Sequence, residues 1–233
     1  MVRRPSSFNI KAGFTVIELI VSLGIMITLM TTVLANYPES NIRVNLALLA
    51  HTITLGMRET QIRGTAIDSS DLLVGGYGLF FNNASSTQYT LFKDFATVAG
   101  PNGLDVGDGV FSVILGSDET ESITTFPYKF KISKLCIGTG YPFSSTNNGS
   151  CNTDGTGGMP TIDTLTIAFV RPKPQPVITI NQDNVTDKRD SISDGISGAC
   201  IEVSSESANR GAYVRSAQVY TSGRIIASKE GCQ

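Results

Sequence analysis

A chain of 233 residues is long enough to bury a sizeable core in one or two domains, yet only 16% of it is charged, against roughly a quarter in an ordinary soluble domain. With 41% hydrophobic residues and 18 Lys+Arg against 20 Asp+Glu, a net −2, it is neither a charge-rich disordered chain nor a basic nucleic-acid binder. One His and no Trp leave little for imidazole catalysis or a His-rich metal site, whereas 24 Ser, 24 Thr and 23 Gly point to a polar β-rich body.

Charge is unevenly spread. Residues 1–13 carry Arg3, Arg4 and Lys11 and no acid, a net +3, which leaves 15 bases and 20 acids, a net −5, in 14–233. From Phe14 to Tyr37 run 24 residues with a single charge, Glu18. At 1.5 Å per residue a helix of that length reaches about 36 Å, enough to cross a hydrocarbon core of roughly 30 Å. Basic residues ahead of the stretch place the N-terminus in the cytoplasm and the body outside the cytoplasmic membrane. A plain signal anchor fits these features. A secretory signal cut after Ala35 fits less well, because the apolar run exceeds an h-region of about 7–15 residues and Glu18 sits near its start.

Directly after the basic leader stands Gly13-Phe14-Thr15-Val16-Ile17-Glu18-Leu19. This resembles the cleavage and methylation site of type IV prepilins and pseudopilins: a short basic leader, Gly, Phe, and Glu at the fifth position after the cut. The resemblance implies that a membrane aspartyl prepilin peptidase cuts between Gly13 and Phe14 on the cytoplasmic side. It also implies N-methylation of the new Phe14 amine and an assembly role for Glu18. A carboxylate within an apolar helix costs at least about 2–3 kcal/mol, so it is usually paired or functional. The ammonium created at Phe14 would pair with Glu18 of a neighbouring subunit as the helix leaves lipid for a filament. The implied partners are therefore the prepilin peptidase, other pilin or pseudopilin subunits and, before assembly, the inner membrane.

Beyond Pro38 apolar residues recur at Leu46, Leu49, Ile53 and Met57, and a second stripe runs through Val44, Leu48, Leu55 and Ile62. The spacing predicts a helix continuing to about residue 66, with one stripe for a sheet and the other for neighbouring helices. Pro38 either kinks this rod or breaks it within Asn36-Tyr37-Pro38-Glu39-Ser40, and Gly24 is a second soft point.

After residue 68 the periodicity is that of strands, over 77–82, 88–93, 110–115, 123–137, 163–171, 176–181, 199–205, 212–220 and 224–228. Tyr128-Lys129-Phe130-Lys131-Ile132 alternates with one polar face, and Thr221-Ser222-Gly223-Arg224 reads as a tight hairpin. Arg171-Pro172-Lys173-Pro174-Gln175-Pro176 reads as an extended connector, since Pro donates nothing to a ladder. The expected fold class is α+β, a long N-terminal helix, membrane-spanning in its first half, packed on an antiparallel β-sheet headpiece. Its segments are a leader at 1–13, a transmembrane and assembly half-helix at 14–37, an amphipathic half-helix at 38–67 and a headpiece at 68–233.

The resemblance widens past the leader. Met57-Arg58-Glu59-Thr60-Gln61 resembles the Arg-Glu-x-Gln segment of minor pseudopilins of the H type and their fimbrial-T relatives. Tyr77-Gly78-Leu79-Phe80-Phe81 resembles their first strand, and Ser222-Gly223-Arg224-Ile225 their C-terminal hairpin. These likenesses imply a minor rather than a major subunit, and the insertion around 138–160 departs from the pattern.

Four cysteines in an external domain predict disulfides, with three possible pairings. Nearest-neighbour pairing gives Cys136–Cys151 and Cys200–Cys232, whose loops would contribute roughly 3 and 4 kcal/mol by closure entropy. A zinc site is the alternative, but Cys-x-x-Cys is absent and His51 lies on the predicted helix. Asp183, Asp187, Asp190 and Asp194 read as a solvated acidic loop rather than a calcium loop, and Gly155-Thr156-Gly157-Gly158 lacks the Lys-Ser/Thr of a phosphate loop. Asn83, Asn148 and Asn184 open glycosylation patterns. No catalytic constellation, metal or cofactor is expected, and with 15 bases against 19 acids over 38–233 no nucleic-acid partner either. Two functions compete: a structural subunit of a type IV pilus or type II secretion pseudopilus, and a signal-anchored extracytoplasmic binding domain that never polymerises.

Overall fold

Among the described residues one long helix, α1 (Val16–Thr65), and antiparallel sheets make the fold α+β. The computed structural model describes residues 13–66, 74–95, 98–99, 105–106, 109, 111, 113–114, 117–127, 129–138, 150–151, 162–170, 175–181, 196–207 and 211–232. Two compact units divide the chain, Met1–Ile42 and Arg43–Gln233. Of the sequence features above, Arg3, Arg4, Lys11, Tyr128, Asn148, Gly155–Gly158, Arg171–Pro174 of the connector and Asp183–Asp194 lie outside the described residues, as does most of the 138–160 insertion.

Thr15 starts α1. Its Oγ1 accepts the Glu18 N–H at 3.3 Å and its carbonyl accepts the Leu19 N–H at 3.2 Å, so a threonine N-cap meets donors that no helical turn precedes. Thr15-x-x-Glu18 is a capping-box spacing. In the first unit the side chains from Phe14 to Leu34 are all exposed, and an 18-residue window reaches a mean hydropathy of 2.2, long and apolar enough to cross a membrane. The hydroxyls of Ser22, Thr28, Thr31 and Thr32 donate to carbonyls three or four residues earlier in the helix. These polar groups are thus satisfied within the helix itself, as a lipid environment requires. Helical structure runs unbroken across position 38, so the alternative of two separate helices does not hold.

In the second unit the two apolar stripes of α1 part company. Leu46, Leu49, Ala50, Ile53 and Met57 are buried, whereas Val44, Leu48, Leu55 and Ile62 are 63%, 63%, 61% and 69% exposed. The buried face reaches the strands through its glycines. A Cβ at Gly56 would touch Tyr89 and Leu79 at 3.5 and 3.6 Å, while one at Gly64 would fall inside the van der Waals envelope of the Phe169 carbonyl. Glycine at position 64 therefore permits a close backbone approach that offsets its helix cost of about 1 kcal/mol. Gly64→Ala is expected to destabilise by about 1–3 kcal/mol through overpacking, despite alanine's better propensity. A urea midpoint unchanged or raised by this substitution contradicts the close approach.

Among the described residues the strands are β1 (Val74–Asn82), β2 (Gln88–Phe95), β3 (Val98–Ala99), β4 (Asp105–Val106), β5 (Val113–Ile114), β6 (Ser117–Asp118) and β7 (Thr120–Thr125). They continue with β8 (Phe130–Gly138), β9 (Ser150–Cys151), β10 (Thr164–Val170), β11 (Pro176–Ile180), β12 (Gly198–Ser207), β13 (Gly211–Tyr220) and β14 (Ile225–Ser228). Two five-stranded sheets result, ordered β11-β10-β1-β2-β7 and β14-β13-β12-β8-β9, beside the small ladders β3-β4 and β5-β6. All the pairings are antiparallel.

The single run expected at 123–137 is two strands in different sheets. Pro127 has no N–H to donate, its carbonyl accepts the Phe130 N–H at 3.2 Å, and Lys129 takes a left-handed φ of 87°. That turn moves the chain from the β7 edge of one sheet into β8 of the other, and it leaves Lys129 outside the strand although its exposed side chain keeps the alternation of Phe130, Lys131 and Ile132. Of 110–115 only Val113–Ile114 falls in a described strand. Pro176 opens β11, an edge strand, where a missing donor is tolerated. The Thr221–Arg224 hairpin joins β13 to β14, with Gly223 at φ 84°.

Strand β1 is covered on both faces. Leu79 and Phe81 are fully buried on one side, and on the other Phe80 packs with Phe92, Phe111 and Ala168. The Phe111 ring lies 4.7 Å from that of Phe80 and 5.1 Å from that of Phe92. This explains why Tyr77–Phe81 shows no clean hydrophobic alternation in sequence.

Candidate functional site

The segment that resembles a processing site lies ahead of the helix. Gly13, Phe14 and Thr15 are non-helical, the Phe14 side chain is 80% exposed, and among the described residues nothing stands within 4 Å of a Cβ built at Gly13. A peptidase binds its substrate as accessible, non-helical backbone, and the Gly13–Phe14 bond is in that condition. One residue later Thr15 caps the helix, so the candidate scissile bond sits outside the first turn and Glu18 sits within it. An anionic Glu18 there meets the positive end of the helix dipole, worth about 0.3–1 kcal/mol near a surface. Gly13, Phe14 and Glu18 come together through the local start of the helix alone. Thr15, which the sequence reading passed over as a positioning residue, was detectable from its capping spacing to Glu18.

The four cysteines form Cys136–Cys151 and Cys200–Cys232. Strand register explains their grouping: Cys136 lies opposite Cys151 on β9 and opposite Cys200 on β12, so both bridges join one buried cluster. The second bridge ties down a C-terminal strap that polar side chains also hold. Glu202, buried on β12, accepts the Ser133 hydroxyl at 2.7 Å with Oε1 and the Cys232 N–H at 2.9 Å with Oε2. Arg215 Nη1 donates to the Lys229 carbonyl at 2.9 Å, and the Ser216 hydroxyl donates to the Glu230 carbonyl at 2.7 Å.

Two sequence stretches that resemble pseudopilin segments meet in space. Gln61 Nε2 donates to the Gly223 carbonyl at 3.2 Å, and Arg58 Nη2 to the Ile225 carbonyl at 3.4 Å. The end of α1 thus caps one carbonyl in the β13–β14 turn, that of Gly223, and one on the open side of the edge strand β14, that of Ile225. Met57 and Thr60 from the same stretch are buried, and Glu59 pairs with Arg63 at 2.6 Å. Arg63 also reaches Glu121 on β7 at 2.8 Å. Burial works against the Arg63 charge, but its hydrogen bond and Coulomb attraction to Glu121, with Glu59, outweigh that and raise its pKa. The pairs are largely exposed, so each contributes about 0.2–1 kcal/mol at most.

The remaining feature is the exposed apolar stripe of Val44, Leu48, Leu55 and Ile62. Positions four, seven and seven apart fall within about 40° of one line on a helix of 3.6 residues per turn. Large apolar side chains in that order form a seam rather than a scatter. Among the described residues no three His, Cys, Asp or Glu side chains are grouped as metal ligands. No protein-family model, curated protein or solved structure matches the chain.

Proposed function

We propose that the chain is a minor structural subunit of a type IV pilus or type II secretion pseudopilus. On this reading it is held in the cytoplasmic membrane by 14–37 with its N-terminus inside. It is then cut between Gly13 and Phe14 by a prepilin peptidase, methylated at Phe14, and polymerised through α1 with other pilin-like chains. The headpiece, packed against the second half of the helix, stays outside the membrane.

The observation that carries this reading is the division of labour along α1. One stripe of its second half lies in the core while the other, of equally apolar residues, faces outward. Fully burying a Leu, Ile or Val side chain is worth about 1.5–3 kcal/mol, so an open row of four marks a surface that gains by meeting another apolar helix. The accessible Gly13–Phe14 bond and the first-turn Glu18 support the same reading, since a processing enzyme needs the former and a subunit contact the latter. A non-polymerising anchored domain needs the membrane span but has no use for the outward stripe beyond it.

The mature N-terminus tests the proposal. Mass spectrometry of the chain from cells expressing it beside its own assembly system is expected to find N-methyl-Phe14 as the first residue. An intact Met1, or a start at Asn36 after cleavage behind Ala35, removes the filament reading.

A further inference from the structure

The headpiece carries a second feature that the filament reading does not use. A groove of about 240 Å³ is lined by Arg43 and Leu46 of α1 and by Tyr213 and Arg215 of β13. Its two guanidinium groups are held by their surroundings. Arg43 lies over the Tyr213 ring, 4.7 Å from the centroid, and its Nη2 donates to the Tyr213 hydroxyl at 3.4 Å. Arg215 Nη1 donates to the Val214 and Lys229 carbonyls at 3.1 and 2.9 Å. Among the described residues its Nε and Nη2 groups make no such bond, so half of that fork remains to be used.

Chemistry narrows the ligand. Two guanidiniums line one groove of a body, 38–233, in which acids outnumber bases 19 to 15. Positioned guanidiniums suit phosphate, whose oxygens accept paired N–H donors at fixed spacing. One wall is apolar, with Leu46 buried and the Tyr213 ring beside it, so the groove suits a phosphate attached to something greasy better than a free ion.

Chain connectivity supplies the location. Arg43 follows Tyr37 by six residues, so even a fully extended chain keeps it within roughly 20 Å of the end of the apolar span. Headgroups occupy the first several ångströms beyond the hydrocarbon, and where such a surface carries anionic lipid a basic side chain there gains about 1 kcal/mol.

We propose that the Arg43–Tyr213–Arg215 groove binds the phosphate of an anionic phospholipid at the membrane surface from which the headpiece emerges. This rests on the reading of 14–37 as a membrane span. The ligand chemistry is a phosphate ester, and its two possible sources, a lipid headgroup and dissolved phosphate, are separated by experiment.

The test uses the full chain reconstituted into vesicles of phosphatidylcholine alone or with phosphatidylglycerol, followed by native mass spectrometry of the lipids retained after gentle extraction. Wild type is expected to retain phosphatidylglycerol over phosphatidylcholine. R43Q should reduce that preference about fivefold and R43Q/R215Q about 25-fold, while R224Q, at the exposed β13–β14 turn, should leave it unchanged. Because Arg215 also holds the C-terminal strap, R43Q alone keeps the test valid if the double variant fails to fold.

An unchanged preference in R43Q overturns the proposal, and so does an equal loss in R224Q, which marks diffuse charge attraction. Binding of inorganic phosphate without lipid preference assigns the site to the dissolved ion and overturns the lipid assignment. Loss of self-association in R43Q with lipid retention intact assigns the groove to a carboxylate of a second copy and also overturns it. Wild type that floats with phosphatidylcholine vesicles but shows no preference sinks the groove alone. Wild type that does not float sinks the span and the groove together.

Discussion

A chain carrying Cys200→Ser and Cys232→Ser together is expected to lose about 4 kcal/mol of stability and to open first at its C-terminus. The bridge closes a sequence separation of 32, which sets the entropy returned to the unfolded chain. The same loss reaches a buried carboxylate. Glu202 has one oxygen on the Ser133 hydroxyl and the other on the Cys232 N–H. When the strap detaches, that second oxygen loses its donor, and an unsatisfied buried charged group costs more than the roughly 1–3 kcal/mol of a neutral one. The companion pair Cys136→Ser and Cys151→Ser spans a separation of only 15 and should cost about 3 kcal/mol. Urea unfolding in detergent measures both, and hydrogen exchange at the backbone amide of position 232, in the wild type and in the double variant, locates the first opening. A loss under about 1 kcal/mol for the first pair means that the polar contacts, not the cross-link, hold the strap.

Glu18→Ala is expected to leave cleavage and methylation at Phe14 intact while reducing recovery in filaments more than tenfold. On the proposed filament reading, removing the carboxylate relieves its desolvation in lipid, so the membrane-inserted precursor would gain, while the assembled state would lose the partner of the Phe14 ammonium. Leu55→Asp provides an independent route to the same defect. Leu55 is 61% exposed, so a charge there costs the isolated headpiece little, yet an unpaired carboxylate in an apolar helix contact costs at least about 2–3 kcal/mol, or over tenfold in incorporation. Ile53, two residues away and fully buried, gives the opposite result: Ile53→Ala should cost about 2–5 kcal/mol in folding. Sheared-filament fractions, thermal melts and N-terminal mass spectra separate the three variants. Normal incorporation of both Glu18→Ala and Leu55→Asp would end the assembly role of this helix.

Much of the candidate site is legible in the sequence. Gly13, Phe14 and Glu18 are candidates by their order along the chain, and one helix start places all three. The stripes of α1 were likewise readable, because a period of 3.6 assigns residues to faces without knowledge of a partner. The pattern did not say which stripe the headpiece would take. Leu46, Leu49, Ile53 and Met57 lie on the side with Gly56 and Gly64, where the backbone can come near Tyr89, Leu79 and Phe169. A stripe gains cover where strands approach closely, and that choice belongs to packing.

Strand reading failed where a local rule competed with periodicity. Across 123–137 the apolar residues suggest one strand, but Pro127 and the left-handed Lys129 divide it between two sheets. Proline's missing donor was visible in the sequence, whereas the φ at Lys129 was not, since lysine has no preference for that conformation. Arg58 and Gln61 stand out in the sequence by resemblance to a family segment, and only the fold shows that they cap the hairpin containing Gly223.

By itself the sequence determined what depends on neighbours along the chain: an apolar helix with one carboxylate near its start, the capping spacing from Thr15 to Glu18, and a strand-rich body with four cysteines. Tertiary structure decided what depends on pairs far apart in sequence. It placed Cys136 opposite both Cys151 and Cys200, gave Glu202 the C-terminal strap, and brought Arg43 within reach of Tyr213 and Arg215. Helix period and capping arise from contacts between residues at most four apart, whereas sheet register and grooves arise from closing long loops, whose entropy only the whole packed headpiece can offset.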